Sequence, residues 1–92
     1  MVWHLNALTA LHWRQWDDEW VVFDAGSGQT HQMDTLTAVT LMAIEATPMP
    51  LTELASQIAQ ELQLPNEREL DHVLSGIVQR LASAGLIESA AP

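Results

Sequence analysis

Every aromatic side chain in the sequence precedes residue 34. Trp3, Trp13, Trp16, Trp20 and Phe23 fall in the first third; from Asp34 onward Leu, Ala, Ile and Val supply the apolar surface. Aromatic and β-branched residues favour a pleated surface, whereas Leu and Ala favour helix. The chain therefore reads as a β-rich start followed by a helical remainder, an α+β arrangement. At 92 residues the expectation is one domain, 1–92, which hides only about 60–65% of its unfolded surface on folding.

Local signals place the elements. Glu19-Trp20-Val21-Val22-Phe23-Asp24 is the best strand. Ala25-Gly26-Ser27-Gly28 follows it with two glycines able to take positive φ, so a hairpin closes onto Gln29-Thr30-His31-Gln32-Met33. Alternation puts His31 and Met33 on one face of that strand and Thr30 and Gln32 on the other. An earlier strand over 10–14, turning back through Gln15-Trp16-Asp17-Asp18, completes a three-stranded antiparallel meander, with strands over about 8–33. Such a sheet needs helices packed on it to be stable.

Those helices span about 35–84. Asp34 is a natural N-cap for the first, which runs from Thr35 or Leu36 to about Ala46 with Leu36, Val39, Met42 and Ala43 at helical spacing. Pro50 fits the first position of a second helix over 51–63, with Leu51, Leu54, Ile58 and Leu62 on one face. Asn66 and Glu69 form a capping box for the third, which ends at the left-handed cap Gly85. Leu86 and Ile87 fold back to seal the core, and 89–92 is expected to fray. Three strands are followed by three helices, and the last two, antiparallel and ending Leu81-x-x-x-Gly85-Leu86-Ile87, look like the tail of a winged helix-turn-helix.

Charge narrows the function. Twelve acidic residues against three arginines leave a formal net charge of −9, and there is no cysteine. Disulfides, thiolate metal sites and thiol nucleophiles are thereby excluded. The electrostatic footprint of a nucleic-acid or anionic-membrane binder is missing. The third helix leads with Glu67, Glu69 and Asp71, an arrangement that repels phosphate and argues against DNA. No apolar run approaches the roughly 20 residues of a membrane span. Met1-Val2-Trp3-His4 lacks the opening of a signal peptide, so a cytoplasmic location is expected.

Catalytic constellations are weak. Asp17-Asp18-Glu19 reads as a solvated turn. Glu69 and His72 lack the facing ligands of a carboxylate-bridged metal site. His4, His12, His31 and His72 show no metal spacing. The expectation is a protein without enzyme activity, metal or cofactor.

Two features remain. On the third helix Leu70, Val73, Leu74, Ile77, Val78 and Leu81 span an apolar arc of about 140°. Leu70, Leu74, Ile77 and Leu81 read as core, whereas Gly76 and Arg80 flank the arc beside Val73, and these three fit a core or a binding role equally well. Gly76 in mid-helix costs about 1 kcal/mol against alanine, which is tolerable where something approaches the helix closely or where a core contact is tight. The strand 29–33 has one unpaired edge without fixed charge or proline. Beside that helix it makes a groove able to receive an extended peptide as an added strand. An ordinary solvated edge, or one paired with a second copy in a homodimer, fits the same residues. Trp3, Trp13 and Trp16 exceed what so small a core readily hides, so one of them can lie exposed as an interface anchor.

Several segments together resemble a known family. Trp13-x-x-Trp16-Asp17-Asp18-Glu19-x-Val21-Val22-Phe23-Asp24, Ser27-Gly28-x-Thr30-His31-x-Met33-Asp34, Leu51-x-Glu53-Leu54-Ala55 and Leu81-x-x-x-Gly85-Leu86-Ile87 are similar to the PqqD-like family. Within it they look closest to the HPr-rel-A system PqqD family peptide chaperones. The resemblance spans roughly residues 8 to 88, and the first two segments carry its specificity. It implies a recognition element for ribosomally made, later modified peptides, which binds a precursor's leader and presents it to a modifying enzyme. The leader adds as a strand to the third strand of the meander and packs on the third helix. Carried over residue by residue, the implied peptide-binding positions are Thr30, His31, Gln32, Val73, Gly76, Ile77 and Arg80. Pro50 departs from the family pattern, which usually places a Ser or Thr cap there.

Overall fold

Asp17 and Asp18 reverse the chain in two residues, with Asp17 at φ 56°, a left-handed conformation that a short polar side chain tolerates. That tight turn lets β2 (Leu11–Trp16) pair along its whole length with β3 (Glu19–Asp24), from Leu11↔Asp24 to Trp16↔Glu19. The strand expected over 10–14 therefore runs two residues further, and Gln15 and Trp16 belong to it rather than to the turn. β3 then pairs antiparallel with β4 (Gln29–Met33), from Trp20↔Met33 to Asp24↔Gln29. The sheet order β2-β3-β4 is the expected meander. These relations come from a computed structural model, which describes residues 2–63 and 67–90.

The β3–β4 turn is organised by Asp24, which is buried. Its carboxylate accepts from the backbone N–H of Ala10 at 3.0 Å and of Gly26 at 2.9 Å, and from the Ser27 hydroxyl at 2.9 Å. The Ala10 bond, opposed by desolvation and reinforced by Ser27 and Gly26, holds the carboxyl below its usual range. Only one of the two turn glycines takes positive φ, Gly28 at 77°. Gly26 answers to space instead: a Cβ there would lie 1.7 Å from the Leu8 carbonyl oxygen.

Three helices follow. α1 (Thr35–Ala46) starts at Asp34, whose side chain accepts from the Thr37 N–H at 2.8 Å, as the sequence predicts. Its deepest residues are Ala38, Thr40, Leu41, Ala43 and Ile44, while Leu36 and Val39 are only partly covered. Helical spacing alone marks one stripe, but α1 packs against β1, β3, α2 and α3 and is covered on several sides. The buried Thr40 hydroxyl is satisfied by the Leu36 carbonyl at 2.7 Å. α2 (Leu51–Leu62) buries Leu54 and Ile58 as expected. Pro50 sits at its N-cap with φ −74° and ψ 162°, one position earlier than expected. A cap residue needs no N–H of its own, so proline is tolerated there too.

α3 (Glu67–Ser83) closes with a Schellman motif: Leu86 N–H reaches the Leu81 carbonyl at 3.1 Å and Gly85 N–H the Ala82 carbonyl at 3.0 Å, with Gly85 at φ 80°. Its expected cap Asn66 lies outside the described residues. Leu86 and Ile87 are buried, each 1% exposed, and seal the core as expected.

The remainder of the C-terminal expectation is corrected. β5 (Ile87–Ala90) pairs antiparallel with an N-terminal strand, β1 (Val2–Leu5), in the register Val2↔Ala90 to Leu5↔Ile87. Ser89 and Ala90 are therefore strand rather than frayed tail; residues 91 and 92 lie outside the described set. Trp3 in β1 also exchanges backbone hydrogen bonds with Met49, at 2.9 and 3.1 Å, fastening the α1–α2 linker. A second, two-stranded sheet thus joins the three-stranded one.

The three-stranded sheet turns one face to the helices. Val22 is fully buried there, with Leu11, Trp13 and Met33 packed partly against the same core. Trp13 and Trp20 meet edge to face at 6.0 Å, and Trp13 donates its indole N–H to Glu45 of α1 at 3.2 Å. Trp3 is buried, whereas Trp16 is 69% exposed.

Candidate functional site

β4 pairs with β3 alone in the described sheet, so its other edge presents unpaired backbone groups. Gln29, Thr30 and Gln32 are exposed along it, and His31 is half-buried. Alternation works as the sequence predicts: His31 and Met33 turn toward the helices, Thr30 and Gln32 away from them. The Gln32 amide is engaged by the Glu19 carboxylate across the sheet. Thr30 and Gln32 therefore offer a partner along the edge their backbone more than their side chains. On the helix side, His31 Nε2 and Trp20 Nε1 are buried polar atoms with no hydrogen-bond partner among the described residues.

On α3, Val73, Gly76 and Arg80 lie three or four residues apart and share one side of the helix. Val73 is 45% exposed, and Gly76 and Arg80 are exposed as well. A Cβ on Gly76 would meet nothing within 4 Å. No tight core contact accounts for that glycine; it faces open space. Ile77 parts from these neighbours. At 2% exposure it belongs to the core with Leu70, Leu74 and Leu81, and it can only underlie the exposed residues.

Electrostatics link the two elements at one end. Asp34, which follows β4 directly, has its carboxyl held below the usual range. The Thr37 backbone N–H is the main cause, then the Thr37 hydroxyl; desolvation opposes them, and the positive charge of Arg80 adds to them. Arg80 thus sits within electrostatic reach of the point where β4 ends. Nothing in the sequence signals this proximity, because Asp34 explains itself locally as a helix cap.

Two surface depressions lie away from this edge. One is lined by His12, Arg14, Val21 and Phe23, another by Trp13, Arg14, Gln15, Trp16 and Asp17. A third, at the end of β4, is lined by Asp18, Glu19, Gln32, Met33 and Asp34. A strand edge needs no concavity to bind, since its unpaired amides and carbonyls are the recognition element. The residues of the first depression follow from the alternation of β2 and β3, which sets His12 and Arg14 beside Phe23 and Val21 on the outer face.

Among the described residues no three His, Cys, Asp or Glu side chains converge on a metal-sized site, and no helix is long and apolar enough to cross a membrane.

The chain matches no protein-family model and no curated protein. Among solved structures it is similar to TbiB1 in complex with the TbiA(beta) leader peptide. The TM-score is 0.72 at 18% identity, covering 97% of this chain and 99% of that one. It is also similar to a lasso peptide synthetase B1 complexed with its leader peptide. Here the TM-score is 0.68 at 16% identity, covering 95% and 98% of the two chains. The chain shares the fold of these two proteins over nearly its whole length.

Proposed function

We propose that this chain is a non-catalytic recognition element that binds the leader of a ribosomally made precursor peptide and presents it to a modifying enzyme. The leader adds as a strand to the free edge of β4 and lays side chains over Val73 and Gly76 of α3, with Arg80 at the end of the groove. The carrying observation is the unpaired, uncharged edge of β4 in a fold that two leader-bound proteins share. Thr30, His31 and Gln32 supply the strand, while Ile77 supports the groove from beneath.

Magnitudes explain why both elements are needed. A strand added along five residues makes roughly four to six backbone hydrogen bonds, each worth about 1 kcal/mol net. Association costs about 4–15 kcal/mol in lost freedom. Backbone pairing alone therefore gives at best weak binding, and apolar burial on α3 must supply the rest. Gly76 removes a side chain where the leader comes nearest.

Isotope-labelled protein titrated with the precursor's leader tests this directly. The largest shifts are expected on amides 29–33 and 73–80. Shifts confined to 3–16 contradict the groove. A dimer with β4 amides already protected before peptide is added replaces the leader with a second copy.

A further inference from the structure

We propose that the sheet face turned away from the helices is a second docking surface, and that its occupant is the modifying enzyme. This inference rests on the leader-binding reading. The occupant's matching surface is an apolar patch that carries a carboxylate for Arg14.

The register builds this face in rows. His12 lies beside Phe23, Arg14 beside Val21, and Trp16 beside Glu19, all pointing away from the core. Trp16 is 69% and Phe23 41% exposed, and the Phe23 ring lies 6.3 Å from that of His12. Arg14 stands among them and makes no hydrogen bond or ion pair with the described residues. An unpaired cation is out of keeping with a chain that carries twelve carboxylates. The acid nearest in register, Glu19, is instead held by Gln32. The face is thus an apolar surface that presents one unpaired cation, Arg14, with Glu19 engaged by Gln32 at its rim, and it complements an apolar surface that carries a carboxylate.

Its size selects the kind of partner. Three strands spaced about 4.8 Å apart and five residues long cover on the order of 250 Å². A stable interface needs about 800 Å² from each partner. A second copy held by this face alone falls short, and two chains of charge −9 repel one another. An enzyme that also grips the leader needs only a small contact, because the bound leader raises its effective concentration. Edge and face are different surfaces of one sheet, so leader and enzyme can be held together.

The test uses the full chain, its precursor and the enzyme that modifies that precursor. The double variant Arg14→Glu, Trp16→Ala is compared with the wild type, and Arg14→Lys serves as the charge-conserving control. The variant is expected to fold and to bind precursor with unchanged affinity. Modification by the double variant should slow about tenfold at low chain–precursor concentration, through KM rather than kcat, whereas Arg14→Lys should keep most of the wild-type rate. Unchanged modification by the double variant overturns the inference. So does an equal loss of precursor affinity, which assigns the face to the leader, and so does a wild-type dimer that the variant dissolves. Failure of the wild type to bind precursor at all removes the leader-binding reading, and this inference with it.

Discussion

The carbonyl oxygen of Leu8 stands 1.7 Å from the point that a Cβ on Gly26 would occupy. Any side chain at 26 must push the Leu8 backbone away, and with it the neighbouring Ala10, whose N–H binds Asp24. Gly26→Ala should cost about 2–3 kcal/mol in urea unfolding. Gly28→Ala meets open space and carries only the strain of φ 77°, about 1 kcal/mol. The reverse ranking contradicts the close approach.

Acid should unfold the protein through two capping carboxylates. Asp24 and Asp34 both have lowered pKa values in the fold, mainly through the N–H of Ala10 and of Thr37 respectively. A lowered folded pKa means stability that is fully present above the unfolded value and is lost as pH falls through the folded one. The thermal midpoint should therefore hold above about pH 5 and drop toward pH 2. Asp24→Asn should be less stable at neutral pH and show a shallower drop on acidification. An equally steep drop removes Asp24 from the account.

Gln63 ends α2 in the left-handed region at φ 54°. Glycine adopts that conformation without a Cβ penalty, so Gln63→Gly should raise stability by about 1 kcal/mol. Thermal denaturation measures it. No gain means that the Gln63 side chain makes a compensating contact.

Gly76 separates stability from binding. Gly76→Leu should stabilise α3 by up to about 1 kcal/mol, since nothing lies within 4 Å of the new Cβ. The same change should weaken leader binding about tenfold by filling the groove. A stabilised variant with undiminished affinity moves the leader off α3. Arg80→Ala, in turn, should leave the fold intact and weaken binding about threefold to tenfold, most clearly at low salt; unchanged affinity removes Arg80 from the site.

Much of this was legible because the signals are local. Asp34 caps α1, Gly85 closes α3, and the alternation of 29–33 sets which residues face the helices, each decided within a few positions. β1 and β5 were not legible: Val2 pairs with Ala90, and neither four-residue segment announces itself without the other. Gly26 and Gly28 look alike in sequence, yet one is fixed by a backbone 18 residues upstream and the other by its own φ. On α3 the apolar arc could not divide itself. Packing buries Ile77 and leaves Val73 at the surface, and that division decides which of them a peptide can touch.

Hydrogen exchange on β4 tests the central claim most directly. With the leader bound, alternate amides within 29–33 should exchange at least about tenfold more slowly, because outward N–H groups then pair with the added strand. Leader binding with β4 exchange unchanged would contradict strand addition at this edge.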